Sequence, residues 1–224
     1  MPTPTVSQVP TMTSPQRRRD NASRSTPRLT KAERKRQLLA HAKSLFVTQG
    51  YHATTTEKIA QAAGVTEPVL YRHFESKKAL FLEVLEEIRA ATLERWRGEM
   101  ANFSDPLAKL HAIADAYLGS TRERALEYRI MHRTLVETDD EEIVALLRSF
   151  YLDSETLLAA IIAEGQQSGV FRRSLDPRVG AWEMIRTALG YTLTLPLGVP
   201  LFAEENYIPQ AIDCMLHCLL KTDV

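Results

Sequence analysis

Apolar residues recur along this chain with the period of helices. Leu38, Leu39, Ala42, Leu45 and Phe46 fall at spacings of three and four, and Gly50 closes the run, which predicts a helix over 31–49. Each of the next three helices has its own start signal. Thr54 or Thr55 can cap the second, Thr54 forming a capping box with Glu57; Thr66 can cap the third, and Ser76 the fourth. The fourth runs from Lys77 to about Arg97, and the pattern then predicts helices over roughly 106–122, 126–137, 141–167, 177–194 and 205–221. Pro106 and Pro177 sit in first turns behind capping residues, and Gly169 follows the helix that starts at 141. No segment carries a strand pattern, so the expected fold class is all-α.

Composition separates a tail from this helical body. Residues 1–29 hold 14 Pro, Ser or Thr and little apolar periodicity, which predicts a disordered basic tail carrying Arg17-Arg18-Arg19. That cluster is able to reach a minor groove, to meet lipid or to stay idle. With 44% apolar residues and two cysteines, the chain reads as an ordinary globular protein in a reducing compartment, not a disulfide scaffold. It lacks an apolar run of roughly 18–20 residues or a secretory h-region, so a cytoplasmic protein with no membrane partner is expected. Zero net charge conceals an asymmetry: residues 1–80 carry 14 Lys+Arg against 5 Asp+Glu, the rest 14 against 23. A basic first part meets a polyanion, and an acidic second part does something else.

The segment from Thr56 to Phe74 reads as helix, glycine turn, helix, the pattern of a helix-turn-helix. Ile59 and Ala63 share one face of the first helix, and Leu70 and Phe74 share one face of the second, so both can pack on the helix over 31–49. At 100° per residue Arg72 points opposite the Leu70–Phe74 face, with Pro68 and Val69 within about 60° of it. Tyr71 and His73 lie roughly 80° to either side, toward the phosphate strands that flank a helix in the major groove. Arg72 matches O6 and N7 of guanine, Val69 suits a thymine methyl, and Glu67 is able to accept from a cytosine amino group. Thr55, Thr56 and Lys77 stand at helix N-termini, where they favour phosphate and position rather than specify.

The run Ala63-Gly64-Val65-Thr66, then Leu70-Tyr71-Arg72-His73-Phe74 and Ser76-Lys77-Lys78-Ala79-Leu80, is similar to the signature of the tetracycline-repressor (TetR) family of transcriptional regulators, across 34–84. The resemblance implies an N-terminal three-helix DNA-binding domain at 30–76 and a larger helical ligand-binding and dimerisation domain at 77–224. It implies DNA contacts at Thr55, Thr56, Glu67, Pro68, Val69, Tyr71, Arg72, His73 and Lys77. Pro68 departs from the glycine of many relatives and stiffens the first turn of the recognition helix. The family also implies a homodimer through the last two helices, here 177–194 and 205–221, that offers two recognition helices to a palindromic operator in double-stranded DNA.

Large residues of the second part are candidates to line a pocket for a small hydrophobic or aromatic effector: Trp96, Tyr117, Tyr128, Met131, His132, Phe150, Tyr151, Trp182, Met184 and Tyr191. The same residues also suit plain core packing. Cys214 and Cys218 share one helical face and read as small buried hydrophobes; a redox contact across a dimer axis is the alternative. Asp139-Asp140-Glu141-Glu142 reads as a charged helix start rather than a metal site. Because nucleophile–base pairs and metal-ligand spacings are missing from the pattern, neither an enzyme nor a cofactor is expected. The leading expectation is a repressor released from DNA by an effector. A regulator working with a protein partner or none, and a helical-pocket enzyme, are the alternatives.

Overall fold

The computed structural model describes residues 29–119 and 122–220, so the expected tail, apart from Leu29, lies outside the described residues together with Arg17–Arg19. Among the described residues nine α-helices account for nearly all regular structure: α1 (Lys31–Gln49), α2 (Thr56–Ala62), α3 (Glu67–Tyr71), α4 (Lys77–Met100), α5 (Pro106–Leu118), α6 (Arg122–Glu137), α7 (Glu141–Ser168), α8 (Pro177–Thr194) and α9 (Tyr207–His217). Two 3-10 turns, Leu195–Leu197 and Pro200–Ala203, join α8 to α9, and one isolated bridge pairs Phe171 with Leu220. None of the described helices is long and apolar enough to cross a membrane.

Local chemistry sets most boundaries. Thr30 and Glu33 form a reciprocal capping box at the start of α1; Ser76, Asp105, Asp140 and Asp176 cap α4, α5, α7 and α8 through their side-chain oxygens. Ser76 Oγ accepts from the Ala79 amide at 3.0 Å, and Ser76→Ala is expected to cost about 1 kcal/mol, read as a lower urea midpoint at an unchanged slope. Gly169 ends α7 in the left-handed region at φ 81°, a conformation glycine adopts without a Cβ clash.

Some expected ends shift. Thr55, not Thr54, caps α2; Thr54 is buried and donates its hydroxyl to the Gly50 carbonyl at 2.8 Å. Thr66 holds the cap position of α3 without a side-chain bond. α6 begins four residues ahead of the expected 126. The expected helix over 205–221 is shorter, because a 3-10 turn precedes it and Pro209, which has no amide hydrogen, fits only its first turn.

A continuous core runs through the molecule. Leu38, Ala42 and Phe46 of α1 pack with Ile59, Ala60, Leu70 and Phe74 of α2 and α3, and with Leu80, Phe81 and Val84 of the first turns of α4. Phe46 meets Phe81 edge to face with centroids 4.9 Å apart. α4 then carries Leu85, Ile88, Leu93 and Trp96 into the second half, where it packs on α5 and α7, with α8 against α7 and α6 between α1 and α8. At the junction Lys78 of α4 pairs with Asp140 and Glu142 at the start of α7 at 3.2 and 2.8 Å, and Arg89 pairs with Asp153. The bonds to Glu142 and Asp140 raise the Lys78 pKa.

Candidate nucleic-acid interface and core cavity

α3 has five residues, fewer than an isolated helix needs to persist, so its orientation comes from packing. Leu70 and Phe74 are buried as the 3.6-residue period requires, and Gly64, at φ 66°, makes the turn that sets α3 across α2. Opposite them Pro68, Tyr71 and Arg72 are exposed, while Val69 and His73 are half-buried. Pro68 stands in the first turn of α3, where its missing amide hydrogen costs nothing.

Val69, Arg72 and His73 form one wall of an open groove of about 560 Å³ whose other wall is the start of α1, with Lys31 and Arg34. The sequence reading missed these two basic residues, which stand next to the Thr30 cap. Burial chiefly, then Lys31, Arg34 and Lys35, hold the His73 pKa below its ordinary value, and His73 Nδ1 is buried without a partner. Lys77, half-buried, places Nζ 4.3 Å from the centre of the Tyr51 ring, and burial lowers its pKa. Thr55 is exposed, with its side-chain oxygen engaged by the Lys58 amide.

Thr56 departs from its expected place. It is 8% exposed, and its hydroxyl donates to Glu67 Oε1 and lies 3.2 Å from the Tyr71 hydroxyl. In the free protein the Thr56 hydroxyl is therefore engaged inside the helix-turn-helix rather than turned outward.

In the second half a cavity of about 40 Å³ lies among Trp96, Ile113, Ala114, Tyr117, Leu118, Leu158, Met184, Ile185, Ala188 and Met215. Trp96, Tyr117 and Met184 were expected there; the aliphatic members resemble any core residue in sequence. Beside it Tyr117 is a hub. Its hydroxyl lies 2.8 Å from Thr192 Oγ1 and 3.3 Å from His132 Nε2, and its ring packs tilted against Tyr128 with centroids 4.2 Å apart. Tyr128, Met131, His132, Phe150 and Tyr151 are buried near the cavity but do not line it. Trp96 Nε1, His132 Nδ1 and the Tyr151 hydroxyl are buried without partners.

Two candidates lie away from the cavity. Trp182 donates Nε1 to Glu155 at 2.9 Å, and Glu155 also accepts from Arg178, which holds its pKa below the ordinary carboxylate value. Trp182 thus fastens α8 to α7. Tyr191 packs on Tyr207 and Phe202, with centroids 6.2 and 6.3 Å away. Cys214 and Cys218 are exposed in the protomer, contrary to the expected burial. Each follows a buried residue, Ile212 or Leu216, by two positions, or about 200° of helix, and so faces away from the core. Among the described residues no cluster of three or more His, Cys, Asp or Glu is placed to hold a metal ion.

Residues 38–84, which include all of α2 and α3, match the model for bacterial regulatory proteins of the tetR family. That segment of the chain is a TetR-family helix-turn-helix. An N-terminal helix-turn-helix segment of DNA-binding regulators is thus followed by a larger helical part. Among TetR-family relatives, the transcriptional activator FasR of Mycolicibacterium smegmatis is 34% identical over 116 residues, 52% of this chain and 53% of FasR. The chain thus spans about half the length of that relative. The transcriptional repressor KstR2 of Rhodococcus jostii is 27% identical over 168 residues, 70% of this chain and 80% of KstR2. In fold, a transcriptional regulator from Saccharomonospora viridis, crystallised with choline, superposes with a TM-score of 0.73 over 85% of this chain and all of that one, at 21% identity. The shared helical fold thus extends well beyond the segment of sequence match.

Proposed function

We propose that this TetR-family regulator is a repressor that holds a palindromic operator as a homodimer and lets go when a small apolar effector enters its core. Residues 30–76 meet DNA, and 77–224 bind the effector and the second copy. Such a protein acts in the cytoplasm on the nucleoid. Pro68, Val69 and Arg72, with Glu67, face the bases; Thr55, His73 and Lys77, joined by Lys31 and Arg34 across the groove, face phosphates. For the homodimer, the supporting observation is exposed apolar surface on α8 and the turns after it: Val179 and Leu193 are 49% and 50% exposed, and Leu197 is 73% exposed.

The observation that carries the reading is α4. Its first turns are built into the helix-turn-helix core through Leu80, Phe81 and Val84, and its Trp96 lines the cavity. A ligand that displaces Trp96 moves the helix that packs on α1 and shares the helix-turn-helix core with Leu70 and Phe74. The cavity, about 40 Å³, has room for little more than a water molecule, whereas ligand sites typically enclose 300–1,000 Å³. An effector must therefore widen it, and Met184 and Met215 are the flexible side chains to yield. None of its lining side chains is charged, which favours an uncharged hydrophobic or aromatic effector. KstR2 is a repressor and FasR an activator, so relatives allow either sign of control; release on binding supports repression here.

By linkage an effector that weakens operator binding tenfold must bind the DNA-free protein tenfold more tightly than the complex. In a fluorescence-anisotropy titration of a labelled operator duplex, an uncharged aromatic compound that raises the melting temperature is expected to lower operator affinity at least tenfold. A compound that binds the protein and leaves operator affinity unchanged refutes the release mechanism. The cavity's small volume favours a second reading, a regulator that works with a protein partner or alone, and that outcome supports it.

A further inference from the structure

Thr56 stands at the start of α2, yet its hydroxyl serves α3. A threonine hydroxyl has one proton to give and two lone pairs, a carboxylate only accepts, and a tyrosine has one proton. The Thr56 proton goes to Glu67 Oε1. Its oxygen is then left as the acceptor toward Tyr71, 3.2 Å away, so the Tyr71 proton points inward. The relay runs from Tyr71 to Thr56 to Glu67, and both protons are committed inside the protein. Tyr71 is 48% exposed, but a phosphate oxygen needs a donor, and the relay has taken the one Tyr71 has.

Glu67 gains what Tyr71 loses. It is the first residue of a five-residue helix, where a free side chain samples many rotamers, and the bond from Thr56 fixes one carboxylate oxygen. The second oxygen carries no hydrogen bond among the described residues and remains an acceptor, on a half-buried residue that directly precedes the exposed Pro68. In the major groove cytosine N4 offers a donor for a carboxylate.

Accepting that α3 enters the major groove, we propose that Thr56 is a positioning residue for sequence readout. It sets Glu67 as a pre-formed acceptor for a cytosine amino group and holds Tyr71 off the phosphates. Specificity at one base pair then depends on a hydroxyl that touches no DNA.

The test is selection from randomised DNA duplexes with the full chain, its Thr56→Val, Thr56→Ser and Glu67→Gln variants, and salt titrations on the selected duplex. The wild type is expected to prefer cytosine at one half-site position by roughly 5- to 150-fold, the range of one good base contact. Thr56→Val removes the hydroxyl at nearly constant volume and is expected to reduce that preference below about threefold with the salt slope unchanged; Thr56→Ser restores it. Glu67→Gln, which leaves Thr56 in place and stays informative if Thr56→Val folds poorly, is expected to move the preference at that position from cytosine to adenine. Specific wild-type binding with the same base preference in Thr56→Val or in Glu67→Gln overturns the inference while leaving the DNA-binding reading intact. A uniform loss on all sequences in Thr56→Val, with a flatter salt slope, also overturns it, by making Thr56 part of the phosphate contact. Wild-type binding without base preference overturns the inference and the base-reading face together.

Discussion

Lowering the pH from 7.5 to 5 is expected to remove about 2 kcal/mol of folding stability through His132 alone. His132 is 3% exposed within α6, and burial pushes its pKa down to about 4. In the unfolded chain its pKa returns to about 6.5, so between these values the unfolded state takes up a proton that the folded state refuses. Stability is then complete above about pH 6.5, falls by about 1.4 kcal/mol per unit below it, and levels off as pH passes the folded value near 4. The window above pH 5 keeps most carboxylates out of the comparison. Urea unfolding at pH 7.5, 6.5 and 5 is the measurement, with His132→Leu as control. The variant is expected to lose most of the slope; a residue of it stays with His73, whose pKa burial also lowers. Equal acid sensitivity in both proteins counts against His132 as the source.

Near neutral pH, then, His132 is an uncharged member of the cluster beside the cavity. Its Nε2 lies 3.3 Å from the Tyr117 hydroxyl, which burial keeps from ionising, and its Nδ1 is without a partner. Trp96 Nε1 and the Tyr151 hydroxyl share that condition. An unpaired buried polar atom costs about 1–3 kcal/mol. Trp96 lines the small apolar cavity and His132 hydrogen-bonds its Tyr117, so polar atoms beside the cavity leave cohesion of this core unused.

What was legible in the sequence follows from the range of the physics. Asp105, Asp140, Asp176 and Ser76 act within three residues of themselves, so α4, α5, α7 and α8 could be started correctly from the chain alone. The α3 face was legible for the same reason: burial of Leu70 and Phe74 fixes the exposure of Arg72 by rotation about one axis. Thr56 defeated that logic, because its partners Glu67 and Tyr71 are 11 and 15 residues away and its burial depends on how α2 crosses α3. Lys31 and Arg34 join the groove only when α1 and α3 are brought side by side. The cavity was half legible: Trp96 and Tyr117 stand out by size, whereas Ala114, Leu158 and Ala188 differ from other core residues only in their position in space. Cys214 and Cys218 were misplaced because a helix with apolar residues on several faces does not announce which face its own protomer buries.

Arg72→Ala and Lys77→Ala are expected to fail in different ways, and the contrast tests the assignment of faces. Arg72 follows the last turn of α3, exposed opposite the Leu70–Phe74 face, where a guanidinium fork can span two acceptors on one guanine. Its removal is expected to cost about 1–3 kcal/mol on the operator, with relaxed preference at one base pair. Affinity for random DNA should change far less. Lys77 is a different device. Opening α4 with its ammonium over the Tyr51 ring, it is held in place by an aromatic face and, among the described residues, by no carboxylate, so its charge stays available to a phosphate. Lys77→Ala is therefore expected to weaken specific and random duplexes alike, and to reduce the slope of log affinity against log salt by about one. Lys31→Ala and Arg34→Ala, from the far wall of the groove, should follow Lys77 and not Arg72. Anisotropy titrations of both duplexes at several salt concentrations give all of these quantities in one series. If Arg72→Ala lost equally on operator and random DNA, the guanidinium would belong to a phosphate. α3 would then be rolled about its axis, with Pro68 and Val69 turned away from the base edges.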